Sequence, residues 1–159
     1  MAYTIGFDIG SSSIKAALIN LETGKITGSA TSPEKELPIS SPEPGMAEQD
    51  PETWWHHAGR ASRQLKEKFP GAIKEVKAIG IAYQMHGLVM TDKAGELLYP
   101  AVIWCDSRAV ETGNTAFREI GEERCLKALL NSPGNFTASK LRWVKENELA
   151  GTAIQCWTA

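Results

Sequence analysis

Close to the amino terminus, Asp8, Gly10, Ser11, Ser12, Ser13 and Lys15 bring a carboxylate, a glycine turn, three hydroxyls and an ammonium into one short stretch. Backbone N–H groups of a glycine-serine turn can converge on an anion, hydroxyls add donors, and a carboxylate at a strand end suits a hydrated magnesium ion. Phosphate handled together with magnesium is the chemistry these residues favour. The same composition also describes an ordinary serine-rich hairpin turn. Further along, Gln84, Met85, His86, Asp106 and Arg108 offer an amide, a thioether, an imidazole, a carboxylate and a guanidinium. That assortment suits a small polyhydroxylated ligand, because every sugar hydroxyl taken from water must find a buried donor or acceptor. The competing reading makes His86 a satisfied histidine of the fold and Asp106 with Arg108 a local ion pair.

The elements that would position these groups follow from periodicity. The β-branched and aromatic residues from Tyr3 up to Asp8 read as a buried strand with that carboxylate at its end, and Ile14, Ala16 and Leu18 mark a second strand leaving the turn. Gly10 is expected to adopt a dihedral that a side chain would forbid. Ile26 to Thr31 returns as a third strand, and Ser32 to Gln49, with Pro33, Pro38, Pro42 and Pro44, reads as a long surface loop. Asp50-Pro51 opens a helix running to about Phe69, on which Trp54, Ala58, Ala61 and Leu65 recur at helical spacing. Adjacent His56 and His57 point about 100° apart and are read as surface or boundary residues. Val76–Tyr83 is a β-branched strand expected beside the first, which places Gln84, Met85 and His86 at its carboxyl end. A hairpin over 88–99, an apolar strand over 100–108 ending in a charged pair and a serine, and helices over 109–120, 122–130 and from Thr137 complete the pattern. Hairpin, helix and returning strand make an α/β, ribonuclease-H-like order.

A chain of 159 residues can bury one sizeable core, and its formal net charge of -2 with a pI near 5.9 argues against a nucleic-acid surface. No stretch is apolar and long enough to span a bilayer, so no membrane is expected and the cytoplasm is the expected compartment. Cys105, Cys125 and Cys156 are odd in number and widely spaced, which suits reduced thiols rather than a disulfide framework or a zinc cluster.

The loop Gly6–Lys15 lacks the Gly-Lys-Ser or Gly-Lys-Thr ending of a Walker loop and the three glycines of a dinucleotide fingerprint. It resembles the first phosphate loop of the sugar kinase, Hsp70 and actin superfamily. With Ala47–Pro51 and Trp54-Trp55, Gln84-Met85-His86-Gly87, Trp104–Arg108 and Phe136–Leu141 following in that order, the chain from about residue 3 to Glu148 closely resembles the xylulokinases of the FGGY carbohydrate kinase family. The resemblance implies an actin/hexokinase/Hsp70-type ATPase fold and transfer of the γ-phosphoryl of ATP to D-xylulose, giving D-xylulose 5-phosphate, with Mg2+. By position it implies that Asp8 places the metal and that Gly10, Ser11, Ser12 and Ser13 lie near the transferred phosphoryl, with Lys15 close by. Met85 and His86, with Gln84, would contact the sugar, Asp106 would hold a hydroxyl, Arg108 would brace that loop, and Asn135 or Phe136 would help wall the pocket. Kinases for ribulose or gluconate, and a non-catalytic remnant that binds a sugar or a partner through a sheet edge, remain alternatives.

The same resemblance implies that residues 1–159 are the amino-terminal part of the first kinase domain. The general-base aspartate, the rest of that domain and the nucleotide-closing second domain would then lie beyond this chain, leaving no catalytic residue within it and the fragment inactive alone. Leu149–Ala159 does not continue the family pattern, for which a truncated gene, a frameshift or a trimmed chain are equal explanations. A homodimer is possible through apolar surface.

Overall fold

A computed structural model describes residues 1–148 and the backbone of residues 155–158. The ending Leu149–Ala159, expected to depart from the family pattern, lies outside the described side chains, and Cys156 with it. In chain order the elements are β1 (Tyr3–Ile9), β2 (Ile14–Asn20), β3 (Ile26–Ser32), β4 (Glu48–Gln49), α1 (Pro51–Lys68), α2 (Pro70–Lys74) and β5 (Val76–Tyr83). These are followed by β6 (Leu88–Thr91), β7 (Leu97–Val102), α3 (Val110–Ile120), α4 (Glu122–Leu129), a 3-10 turn at Pro133–Asn135, α5 (Thr137–Asn147) and β8 (Gln155–Thr158). They divide into two compact units, residues 1–38 with 50–84 and residues 39–49 with 85–159.

The first unit holds a sheet ordered β3-β2-β1-β5. β1 pairs antiparallel with β2 and β2 with β3, whereas β5 runs parallel to β1. A parallel return requires a crossover, and α1 supplies it. Asp50 caps α1 by accepting the Glu52 N–H at 2.9 Å, and Pro51 takes the first helical position, where a missing N–H costs nothing. Ile5, Ala16, Leu18 and Ala30 from the strands meet Ala61 and Leu65 of α1 in one core. The order matches the expected ribonuclease-H-like arrangement. β3 and β5 are the edge strands of this sheet among the described residues, and Ile79 and Ile81 on β5 are each 64% exposed.

In the second unit the sheet is ordered β4-β7-β6-β8, with antiparallel pairing throughout. Leu88, Met90 and Val102 pack with Val144 of α5, flanked by Tyr99, Leu141 and Trp143. α3 lies so close to the 3-10 turn that a Cβ on Gly113 would come within 2.6 Å of the Gly134 nitrogen and the Pro133 carbonyl oxygen.

Two expectations are revised, and one element is added. The proline-rich stretch 32–49 is not wholly a surface loop: Leu37, Ala47, Glu48 and Gln49 are buried, and its end pairs with β7 as β4. The strand expected from Pro100 begins at Leu97 and ends at Val102, so that the second arm of the hairpin and the start of the apolar run are one strand. A short helix, α2, starts at Pro70 directly after α1, because proline ends one helix and is well placed to open the next. No helix among the described residues is long and apolar enough to cross a membrane.

Candidate functional site

In the first unit Asp8 and Lys15 are cross-strand partners, their side chains exposed and Lys15 Nζ 3.5 Å from Asp8 Oδ2. The pair Ile9 and Ile14 closes the ladder, leaving Gly10, Ser11, Ser12 and Ser13 as the loop. The Gly10 N–H donates to the Ser13 carbonyl at 3.2 Å, and the Ser12 carbonyl accepts the Leu37 N–H at 2.8 Å, so the loop is fixed from within and from behind. Gly10 does not take the left-handed dihedral expected of it; among the described residues the glycines that do are Gly24, Gly45, Gly95 and Gly121. Space is the constraint instead, since a Cβ at Gly10 would sit 3.1 Å from the Ser13 carbonyl oxygen. Gln84, grouped with the sugar residues from sequence, donates its backbone N–H to Ile9 at 3.1 Å and so stands beside this loop.

No cluster of three or more His, Cys, Asp or Glu side chains able to hold a metal occurs among the described residues. A magnesium ion needs no such cluster, because it keeps several waters and is held by one or two carboxylates and phosphate oxygens. The solvent-facing carboxylate of Asp8 at a strand end fits that coordination.

His57, on α1, bonds Ser32 through Nδ1 and Oγ at 2.8 Å. Burial, then the charges of His56 and Arg60, lower its pKa, which is the behaviour of a histidine used by the fold.

The second unit gathers Met85, His86, Trp104 and Asp106. His86 has φ 62°, a left-handed conformation unusual for a residue with a side chain. Its ring stacks on Phe136 with centroids 4.7 Å apart and planes 14° from parallel. Met85 is exposed, as is Trp104, whose carbonyl accepts from Asn135 Nδ2 at 2.6 Å. Thr137 Oγ1 donates to the Gly87 carbonyl at 3.2 Å. Residues at and just before the start of α5 thus grip both the Met85–Gly87 loop and the Trp104–Asp106 loop.

Asp106 is only 1% exposed, and its oxygens are committed. Oδ2 accepts the Ala47 N–H at 2.6 Å and Arg108 Nη2 at 2.8 Å, while Oδ1 accepts the Arg108 backbone N–H at 3.0 Å and Nε at 3.0 Å. The carboxylate expected at a sugar hydroxyl is therefore turned inward, and the bracing expected of Arg108 is what the geometry shows. Arg108 also donates to Glu48 Oε1 at 2.7 Å and to the Tyr99 hydroxyl at 3.0 Å, with its guanidinium carbon 5.3 Å from the centre of the Trp143 ring. Burial disfavours its charge, but the bonds to Asp106, Glu48 and Tyr99 outweigh that and push its pKa further up. Burial likewise raises the Tyr99 pKa, opposed by Arg108.

Lys140 was not singled out as a functional residue by sequence reasoning. It is completely buried and donates to the carbonyls of His86 and Ile103, each at 2.9 Å. A lysine on the same helical face as Val144, next to Leu141, was the available signal. Burial is the main influence on its pKa and lowers it to about 8, while Asp106 and Cys105 pull the other way. Between that value and the ordinary 10.5, the unfolded chain binds the proton more tightly than the folded one. Stability relative to Lys140→Met is therefore expected to be flat below pH 8, to rise as pH climbs through this window and to level off above it, a gain of about 3 kcal/mol. Urea titrations of both chains across the window measure it, and a difference that stays level contradicts it.

Residues 3–157 match the model of the FGGY family of carbohydrate kinases, N-terminal domain, and the chain belongs to that family. Among individual relatives it is 38% identical over 144 residues to the xylulose kinase of Escherichia coli K12, an alignment covering 91% of this chain and 28% of that protein. The crystal structure of a xylulose kinase from Brucella ovis superposes with a TM-score of 0.78 at 33% identity, covering 92% of this chain and 30% of that one. A gluconate kinase from Lactobacillus acidophilus gives 0.79 at 25% identity, over 94% and 29% of the two chains. The chain thus spans less than a third of the length of the relatives it matches.

Proposed function

We propose that residues 1–159 act as the N-terminal part of an ATP-dependent kinase that converts D-xylulose to D-xylulose 5-phosphate in the cytoplasm. The observation that carries the reading is the Met85-His86-Gly87 loop, fixed by Phe136, Thr137 and Lys140, in a chain this similar to a xylulose kinase. Met85 and the His86 imidazole contact the sugar. Asp106 serves from behind by holding Arg108 and the Ala47 backbone in place. At the other end of the reaction, Ser11, Ser12 and Ser13 donate to phosphoryl oxygens of ATP, Lys15 adds positive charge, and Gly10 keeps the loop tight. Asp8 would hold Mg2+, which when bound supplies neutralisation of phosphate charge. This chain's contribution is alignment and charge compensation, which is most of what phosphoryl transfer asks of a protein.

Calorimetric titration of D-xylulose into this chain is the test. Saturable heat that disappears in His86→Ala is expected. Absence of heat with the unaltered chain, or binding that survives His86→Ala, overturns the sugar assignment. The similarity to a gluconate kinase favours one second reading, so D-gluconate is titrated alongside, and preferential binding of gluconate transfers the substrate to that acid.

A further inference from the structure

An ammonium sealed from solvent is expensive, and an apolar side chain of the same length would fill the space of Lys140 without that cost. What a methionine does not supply is a donor to two carbonyls at once. Those carbonyls belong to His86 and Ile103, which lie 17 positions apart in sequence and open the two loops of the sugar half-site. His86 sits in a left-handed conformation that its own backbone does not favour, so an external tie at its carbonyl has geometric work to do. Ile103 is buried and immediately precedes exposed Trp104 and Cys105.

We propose that Lys140 is a positioning residue for sugar recognition: by donating to the His86 and Ile103 carbonyls it sets the spacing of the Met85–Gly87 and Trp104–Asp106 loops. This inference deepens the sugar assignment above and rests on it for its ligand. Lys140 acts from inside the protein, through the backbone of the residues that face the ligand. Three further grips on these loops come from residues 135–137, the Phe136 ring on His86, Thr137 on Gly87 and Asn135 on Trp104, while Ala47 holds Asp106 from elsewhere in the chain. The start of α5 is therefore a single bracket, with the ammonium as its innermost point.

The test compares the unaltered chain with Lys140→Met by carbonyl-carbon NMR and by D-xylulose titration. Loss of the ammonium should move the carbonyl resonances of His86 and Ile103 while leaving those of β6 and β7 in place, and weaken D-xylulose binding by about tenfold or more. A merely space-filling lysine moves neither. A folded variant with unchanged carbonyl resonances, or with unchanged D-xylulose affinity, overturns the proposal. If the unaltered chain shows no saturable sugar binding, the substrate assignment fails separately, and the resonances still decide whether Lys140 ties the loops. Should Lys140→Met not fold, the unaltered chain carries the test: couplings across the hydrogen bonds from Nζ to both carbonyl carbons are expected, and their absence overturns the tie.

Discussion

Arg108→Met is expected to lower the unfolding free energy by about 3 to 5 kcal/mol. The guanidinium and the Asp106 carboxylate are 1% and 0% exposed, and Glu48 only 7%, so removing the cation leaves two carboxylates in a place water does not reach. The loss is not the worth of the ion pairs themselves. It is the penalty of the orphaned charges, together with the Tyr99 hydroxyl and the Trp143 ring left without their cationic neighbour. Replacing Arg108, Asp106 and Glu48 together by apolar residues of similar volume is expected to cost much less, since no charge then remains behind. Urea unfolding followed by tryptophan fluorescence tests both, Trp143 lying beside the altered group. A loss below about 1 kcal/mol for the single substitution would mean that water enters and solvates the carboxylates.

Gly113→Ala is expected to cost about 2 to 3 kcal/mol, a large effect for one methyl group. The new Cβ would meet the backbone of Gly134 and Pro133, and backbone cannot rotate aside as the end of a long side chain can. The turn must move outward, carrying Asn135 and Phe136, the residues that hold Trp104 and face His86. D-xylulose affinity is accordingly expected to fall with stability, although residue 113 touches none of the proposed sugar residues. Gly80→Ala is the control, because a Cβ there meets nothing within 4 Å and the change should stay within about 0.5 kcal/mol. Equal effects at the two glycines would show that helix and turn separate readily.

Legibility in the sequence followed the range of the interactions. β1, β2 and α1 are local patterns, alternation at Ile14, Ala16 and Leu18 and helical spacing at Ala58, Ala61 and Leu65, and they fall where those patterns put them. β4 is two residues long and owes its existence to β7, some 50 positions later, so nothing within 32–49 announces it. The inward turn of Asp106 was hidden for the same reason, since one of its donors is the Ala47 amide, 59 residues away. Gly10 shows a different limit: its place in a turn is legible, but the sequence does not distinguish a glycine needed for its dihedral from one needed for its size. Lys140 was visible as a charged residue on an apolar face, yet only coordinates reveal that its partners are carbonyls.

The left-handed backbone at His86 bears on how this protein can be altered. Glycine would occupy that conformation without the steric cost that histidine bears, so a population of variants selected for heat resistance alone should drift toward glycine at position 86 and discard the imidazole. Screening for thermal tolerance and screening for ligand capture would then reward opposite answers at one codon. Libraries meant to harden this domain should therefore hold that codon fixed.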